Sequence, residues 1–513
     1  MSSDINRNVE QDEPERQNKL SLAKAGKYFQ TLKGNNEARA WVYASAAQGV
    51  ITFGGVVFSI PMLKLAEFSA GCDPAIEGVC SNRVYGFKPS SLLTLMSAIS
   101  GFLVAAVLPT IGGVIDSTPY RRGIAIATGV WLVVLHFVLV ILSETTWFPC
   151  AILLTLSTLF YFIHMATLYA YIPELTDDTE KLTIFNSIYL VVRGFTMFPF
   201  YGLIGLCAFL ILGKSKIDLQ FEVNVARIGT VVQSFILIFL YFKVFYKGLP
   251  PRPPTKNAAK TTREALVELK NTTKEIYTLY PAFFWFLMAL IPFQNTVSAL
   301  ASISVTFVTL FLKAKTVMIA ASAGIFGVFN VIGSRVHPLV AKRINLLNDV
   351  RLNISLWVVT LILCGFTVNG PDKLNLFMGF TCILGFLFGW IIPSTRSLFF
   401  TLMPKGKNAQ YMGIYVLGTN GFTWAPPLLF TILNEAGVQM NHIIVLGLIP
   451  FAISLLIMTK VGKFEDALER LKEQERLDEE KVMARNSRME EEGKSKPEIK
   501  STDENSEEES TNS

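Results

Sequence analysis

Arg193 is the residue whose chemistry most needs explaining. It stands about eleven residues into an apolar run that begins near residue 182, roughly 16 Å along a helix and so close to the middle of a hydrocarbon layer. An arginine at that depth costs on the order of 3 kcal/mol. It needs either a wet cavity holding an anion, for which its paired N–H donors suit a carboxylate, or helix carbonyls and polar neighbours that satisfy it as a structural group. Gln48, Asn295 and Asn420 lie at similar depth in other runs, as do Gln294 and Asn330. They are expected to line the same polar path, although each also suits helix-to-helix bonding. His164 titrates near neutrality at mid-depth, as a proton site or as a buried neutral ring making one hydrogen bond.

No carboxylate lies far inside an apolar run, since Asp116 and Glu174 fall at run ends. Proton coupling is therefore unsupported, and downhill movement fits better. No His/Cys spacing suggests a metal, and no phosphate loop or Ser/His pair suggests catalysis, so neither a cofactor nor enzyme activity is expected. Cys150, Cys207, Cys364 and Cys382 sit in or beside apolar runs, where cysteine acts as a small hydrophobe. Cys72 and Cys80 occupy a polar loop, and both a bridge and two free thiols fit their spacing.

The elements that must hold these residues follow from composition. At 513 residues, 51% hydrophobic, 17% charged and with a mean hydropathy of +0.42, the chain is too apolar for an ordinary soluble enzyme and belongs in a lipid bilayer. The polar first forty residues show no cleaved signal peptide. From Trp41 onward, twelve apolar runs recur, each long enough to cross a bilayer as a helix. The expected organisation is an N-terminal arm (1–40), a six-helix bundle (41–247), a linker with a short surface helix (248–277), a second six-helix bundle (278–460) and a charged, partly disordered tail (461–513).

The net charge of +6 conceals a basic membrane part and an acidic tail. Lys and Arg gather in alternate loops, among them the turn with Arg121 and Arg122, the linker, and the stretch with Lys342, Arg343 and Arg351. This is a topology signal rather than a nucleic-acid signature, and it predicts both termini in the cytosol. Pro199, Pro292, Pro393, Pro426 and Pro427, with Gly385 and Gly389 in a GxxxG spacing, kink helices or let them approach closely.

Twelve spans divided by a basic linker resemble the major facilitator superfamily. GGVIDSTPYRRG (112–123) is similar to that superfamily's cytosolic gating motif, with Ser117 and Pro119 departing from it. The GSRVHPLVAKR stretch after the eighth run lacks its Asp. The run GWIIPSTRSLFFTLMPKGKNAQYMGIY (389–415), with YIPEL (171–175), Arg193-Gly194 and GTNGFTWAP (418–426), resembles the vacuolar amino-acid effluxers of the autophagy pathway. Thr395, Asn408 and Gln410 depart from that pattern.

The resemblance implies an all-α major facilitator fold and export of amino acids from a vacuole-like compartment by alternating access. Arg193 would take the cargo carboxylate, neutral amides its ammonium, and apolar walls a leucine-like side chain. Asp116, Arg121, Arg122, Glu174 and Arg396 would serve the gate. The expected partners are a small-molecule substrate and the lipid bilayer; no nucleic-acid partner is expected, and the protein is expected to be a monomer in a vacuolar or other endomembrane, or in the plasma membrane. A sugar or organic-anion carrier, and a non-transporting sensor or scaffold, are the competing readings.

Overall fold

The computed structural model describes residues 32, 35–74, 79–171, 175, 185, 188–189, 191–213, 218–246, 248–251, 262–404 and 408–494. Regular structure among them is helical, apart from one bridge between Val84 and Phe87. The first half comprises α1 (Asn36–Ser69), α2 (Leu92–Ser117), α3 (Arg121–Val138), α4 (Trp147–Tyr169), α5 (Met197–Leu212, within a span from Val191) and α6 (Leu219–Tyr246). The linker supplies α7 (Thr262–Leu279). The second half comprises α8 (Pro281–Thr306), α9 (Thr316–Ile344), α10 (Leu346–Thr367), α11 (Leu374–Leu402), α12 (Asn408–Asn420), α13 (Ala425–Glu435), α14 (Met440–Leu446) and α15 (Leu448–Thr459). The tail forms α16 (Phe464–Lys494).

Local chemistry sets the boundaries. Asn35 opens α1 by accepting the Ala38 N–H through its side chain, while its own amide donates to the Leu175 carbonyl, 140 residues away. Pro281 opens α8, where the missing N–H costs nothing. Eleven helices among the described residues are long and apolar enough to cross a membrane. The remaining crossing expected from sequence is broken rather than continuous. α12 ends at Asn420, a turn covers 421–424, and α13 restarts with Pro426 and Pro427, which cannot donate to a continuing helix. Phe209, Leu210, Ile211, Phe235 and Leu456 are among the large apolar side chains left facing outward, the surface a bilayer would cover.

Chain direction gives the bundle two ends, one carrying loop 71–88 (the disulfide end) and one carrying the linker. At the disulfide end a single apolar cluster draws on both halves, with Phe58, Leu63, Leu92 and Trp147 from the first and Phe307, Leu310 and Phe430 from the second. Toward the linker end the cores separate. Phe283, Trp357, Phe399 and Phe451 belong to the second half alone, and Ala44, Tyr171, Phe200 and Tyr241 to the first. Phe464, Leu468 and Leu471 seat the start of α16 against the second-half core.

Candidate functional site: an arginine–tyrosine cluster between the halves

Arg193 owes its position to a close backbone approach. A Cβ on Gly49 of α1 would come 2.5 Å from the Arg193 carbonyl oxygen, so only glycine allows this contact. The guanidinium points back across α1 and α4: Nη2 donates to the Tyr161 hydroxyl at 3.2 Å and, more weakly, to Thr52 Oγ1 at 3.4 Å. Tyr169, two turns along α4, and Tyr189 also lie within reach of its charge. The side chain is half-buried, and Thr52, Tyr161 and Tyr169 likewise keep accessible surface. The arginine is thus held among polar oxygens while keeping some accessible surface.

A second layer stiffens this one. Tyr189 stacks on Trp41 with ring centroids 4.1 Å apart, lies 6.1 Å from the Tyr169 ring, and donates its hydroxyl to Gln48 Oε1. Gln48 is fully buried, so it orients Tyr189 from behind instead of facing the opening. His164 is also fully buried, on another face of α4, with Nδ1 2.9 Å from Thr128 Oγ1 and its ring edge-on to Tyr241.

In the second half, Asn295 donates to the Ile291 and Gly418 carbonyls at 2.6 and 2.9 Å, bracing α8 against α12 just before the break. Asn420 closes α12, donating to Thr419 Oγ1 at 3.0 Å while its carbonyl accepts from Thr423. The break faces the first half: a Cβ on Gly101 of α2 would lie 3.0 Å from the Trp424 nitrogen, and Phe102 meets the Trp424 ring edge-on. Arg396 on α11 is half-buried.

The other expected gate residues are distributed differently. Arg121 is buried, donates to the Ala170 carbonyl at 3.3 Å and lies over the Tyr171 ring, while Arg122 donates to the Phe245 carbonyl. Both bonds stay within the first half. Asp116 stands on α2, but its side chain lies outside the described residues, as do Glu174 and Lys405 to Lys407.

Two polar clusters escape a reading of the sequence. Although the stretch after the eighth run contains no Asp, Asp349 at the start of α10 supplies a buried carboxylate to it. Asp349 accepts from Trp390 Nε1 at 2.9 Å and Ser394 Oγ at 2.7 Å and contacts His337 Nδ1 at 2.7 Å, tying α9, α10 and α11 together. The other cluster shuts the disulfide end. Cys72 and Cys80 are bridged, the Cys80 N–H reaches the Glu67 carboxylate, and Glu67 pairs with Lys313 of the second half at 3.0 Å. Lys64, close to Glu67, pairs with Glu222 at 2.7 Å. Glu435 accepts from the Lys88 N–H and Ser91 Oγ and pairs with Arg83; Asn434 donates to Ser90 and Ser91; Thr94 meets Thr431 at 2.8 Å. Between described residues, the hydrogen bonds and ion pairs joining the two halves all fall at this end.

Solved structures with the same arrangement of helices include a bacterial homologue of the iron transporter ferroportin in an inward-facing state (TM-score 0.55, 16% identity, 83% of this chain and 99% of that one). The xylose transporter XylE from E. coli in an inward-open conformation gives 0.53 at 14% identity, covering 83% and 98%. The nucleoside transporter NupG gives 0.51 at 13%, covering 82% and 99%. Such low identities speak for the fold alone, and it is the major facilitator fold. No curated protein matches the chain. The family described as "Vacuole effluxer Atg22 like" matches residues 34–467, nearly all of the helical body. The chain therefore belongs to the vacuole effluxer Atg22-like family of membrane transporters.

Proposed function

We propose that this protein is a secondary carrier that moves amino acids out of a vacuole-like compartment into the cytosol by alternating access, with Arg193 receiving the cargo carboxylate. The observation that carries this reading is the half-buried Arg193 guanidinium, held by Tyr161 and Thr52 with no carboxylate partner among the described residues. A permanent cation that keeps accessible surface inside a bilayer-spanning bundle is a ready anion site. The linker end is the cytosolic end on the distribution of Lys and Arg among the loops. The disulfide then lies on the lumenal side, where an oxidising milieu would keep it. With the lumenal end latched, the arrangement suits release of cargo toward the cytosol. Asn295 and Asn420 hold the broken helix that borders the path, and Asp116, Arg121, Arg122 and Glu174 serve the cytosolic gate.

Uptake of labelled amino acids and sugars into proteoliposomes, with and without a pH gradient, tests this reading. Amino-acid flux in the wild type and its loss in a folded Arg193→Ala variant are the expected results. Movement of a sugar or another organic anion while no amino acid moves would overturn the assignment. A tail-driven sensor would instead lose its output on truncation. Because Phe464, Leu468 and Leu471 pack on the second half, the informative cut comes after Leu477 and should leave flux intact.

A further inference from the structure

We infer that Arg83, the Lys88 N–H and Ser91 form a carboxylate receptor at the mouth of the disulfide end, filled by Glu435 in this state and open to the cargo carboxylate once the halves part. This rests on the amino-acid reading proposed above. Glu435 closes α13 in the second half, yet its carboxylate is held by donors of the first. Oε1 accepts from the Lys88 N–H at 2.8 Å and from Ser91 Oγ at 2.6 Å, and Oε2 pairs with Arg83 Nη2 at 3.1 Å. Ser91 is fully buried, whereas Arg83 keeps 54% of its side-chain surface and Glu435 22%. The cluster thus runs from a covered hydroxyl to a guanidinium at the rim.

A side-chain carboxylate seated on a backbone N–H, a hydroxyl and a guanidinium is chemically the same guest as the carboxylate of an amino acid. The opposite charge is matched as well, since Lys88 Nζ donates to the Asn434 carbonyl at 2.7 Å, a bond that an amino acid's ammonium can replace. Asn434 in turn donates to Ser90 and Ser91 at 2.8 Å. All these contacts cross the halves, so opening at the disulfide end withdraws Glu435 and leaves its three donors without that acceptor. Stranded donors are costly, and an incoming carboxylate satisfies them. Cargo and Glu435 therefore compete for one site. Because cargo fits only when Glu435 has left, its binding draws the carrier toward the state that admits it.

Maleimide labelling of a cysteine at Thr431, in full-length protein lacking the four free cysteines, reads opening at the disulfide end. The receptor holds the carboxylate, so a small amino acid serves as the probe. Alanine should raise the labelling rate at least threefold, and alaninamide, which lacks the carboxylate, should not. No response to alanine, or an equal response to both, would overturn the inference. Two substitutions loosen the latch yet separate a receptor from a bystander. Glu435→Gln weakens only the internal competitor, so the half-saturating alanine concentration should fall at least fivefold. Arg83→Gln weakens the hold on Glu435 and on cargo alike, so that concentration should stay within twofold of the wild type. An equal fall in both variants would place the cargo elsewhere and leave Glu435 a latch residue. The response should also survive Arg193→Ala; its loss there would assign the opening to the central arginine instead. If alanine opens the carrier as described while no amino acid crosses the membrane of proteoliposomes, the transport reading fails and the receptor stands.

Discussion

The Lys313 ammonium lies 3.0 Å from the Glu67 carboxylate and joins the end of α1 in one half to the turn that follows α8 in the other. Both partners are largely shielded, with 11% and 1% of their side-chain surface exposed. Removing one partner of such a pair leaves a buried charge alone, at a cost of about 3–5 kcal/mol. The pair bridges the halves, so the loss falls on the state closed at the disulfide end and the equilibrium moves toward opening there.

Lys313→Met is therefore expected to raise the population open at the disulfide end by at least tenfold, which takes only about 1.4 kcal/mol. The measurement is the rate at which a membrane-impermeant maleimide labels a cysteine placed at Thr431, in a background lacking the four free cysteines. An unchanged rate would show that the pair does not latch the halves. Exchanging the charges, Glu67→Lys with Lys313→Glu, should return labelling most of the way to the wild-type rate.

The bridge between Cys72 and Cys80 acts on the same latch. The Cys72 N–H donates to the Glu67 carbonyl at 3.1 Å, and the Cys80 N–H reaches the Glu67 carboxylate. Closing a loop of this length restricts the open chain by about 2–3 kcal/mol. Cys72→Ser with Cys80→Ser, made in the same background with the cysteine at Thr431, should lower the Tm and accelerate the same maleimide reaction. A fall in Tm with no change in labelling would assign the bridge to stability alone.

The two halves and the Cys72/Cys80 loop are legible in the sequence because each is written in one continuous stretch of chain. The latch is not, since Glu67 and Lys313 are separated by 246 residues. Its only local sign is Lys64 and Glu67 together near the end of an apolar helix. Asp349 lies just outside an apolar run and reads as a loop residue until α9 and α11 close around it. Gly421, Pro426 and Pro427 signal helix breaking, but not whether it yields a kink or a gap; the packing of Trp424 against Gly101 accompanies a gap. Tyrosines are ordinary in membrane helices, so nothing in the sequence singles out Tyr161, Tyr169 or Tyr189 as the lining beside Arg193.

The GxxxG pair on α11 supports a testable packing claim. A Cβ on Gly389 would lie 1.8 Å from the Asn330 carbonyl oxygen, and one on Gly385 2.6 Å from that of Phe326. Backbone cannot yield as a flexible side chain does, so Gly389→Ala forces α9 and α11 apart and should cost about 1–3 kcal/mol. Gly202→Ala, with no atom within 4 Å of the new methyl, is the comparison. Thermal unfolding in detergent should show a clear loss for the first and none for the second.

Asp349 receives two firm donors, from Trp390 and Ser394, besides His337. Asp349→Ala strands them in a buried pocket, at roughly 1–3 kcal/mol each. That is a large share of a membrane protein's margin, and little monodisperse protein should be recovered on size exclusion. Asp349→Asn keeps the volume and one acceptor, and its yield should lie between those of the alanine variant and the wild type. Equal yields for all three would deny the cluster any structural role.

Tyr161 tests how far Arg193 depends on being aimed. Its hydroxyl accepts the Arg193 Nη2 hydrogen at 3.2 Å, and a hydrogen bond to a charged group contributes about 1.5–3 kcal/mol. Tyr161→Phe leaves the ring in place and frees the guanidinium to reorient, since the remaining contact to Thr52 at 3.4 Å is weak. The fold should be untouched, with the Tm unchanged, while KM for the transported amino acid rises about tenfold and kcat changes less. Arg193→Ala should instead abolish flux at every concentration. If Tyr161→Phe leaves KM unchanged, the guanidinium is held by something other than the α4 tyrosine, and the geometry proposed for carboxylate capture is wrong.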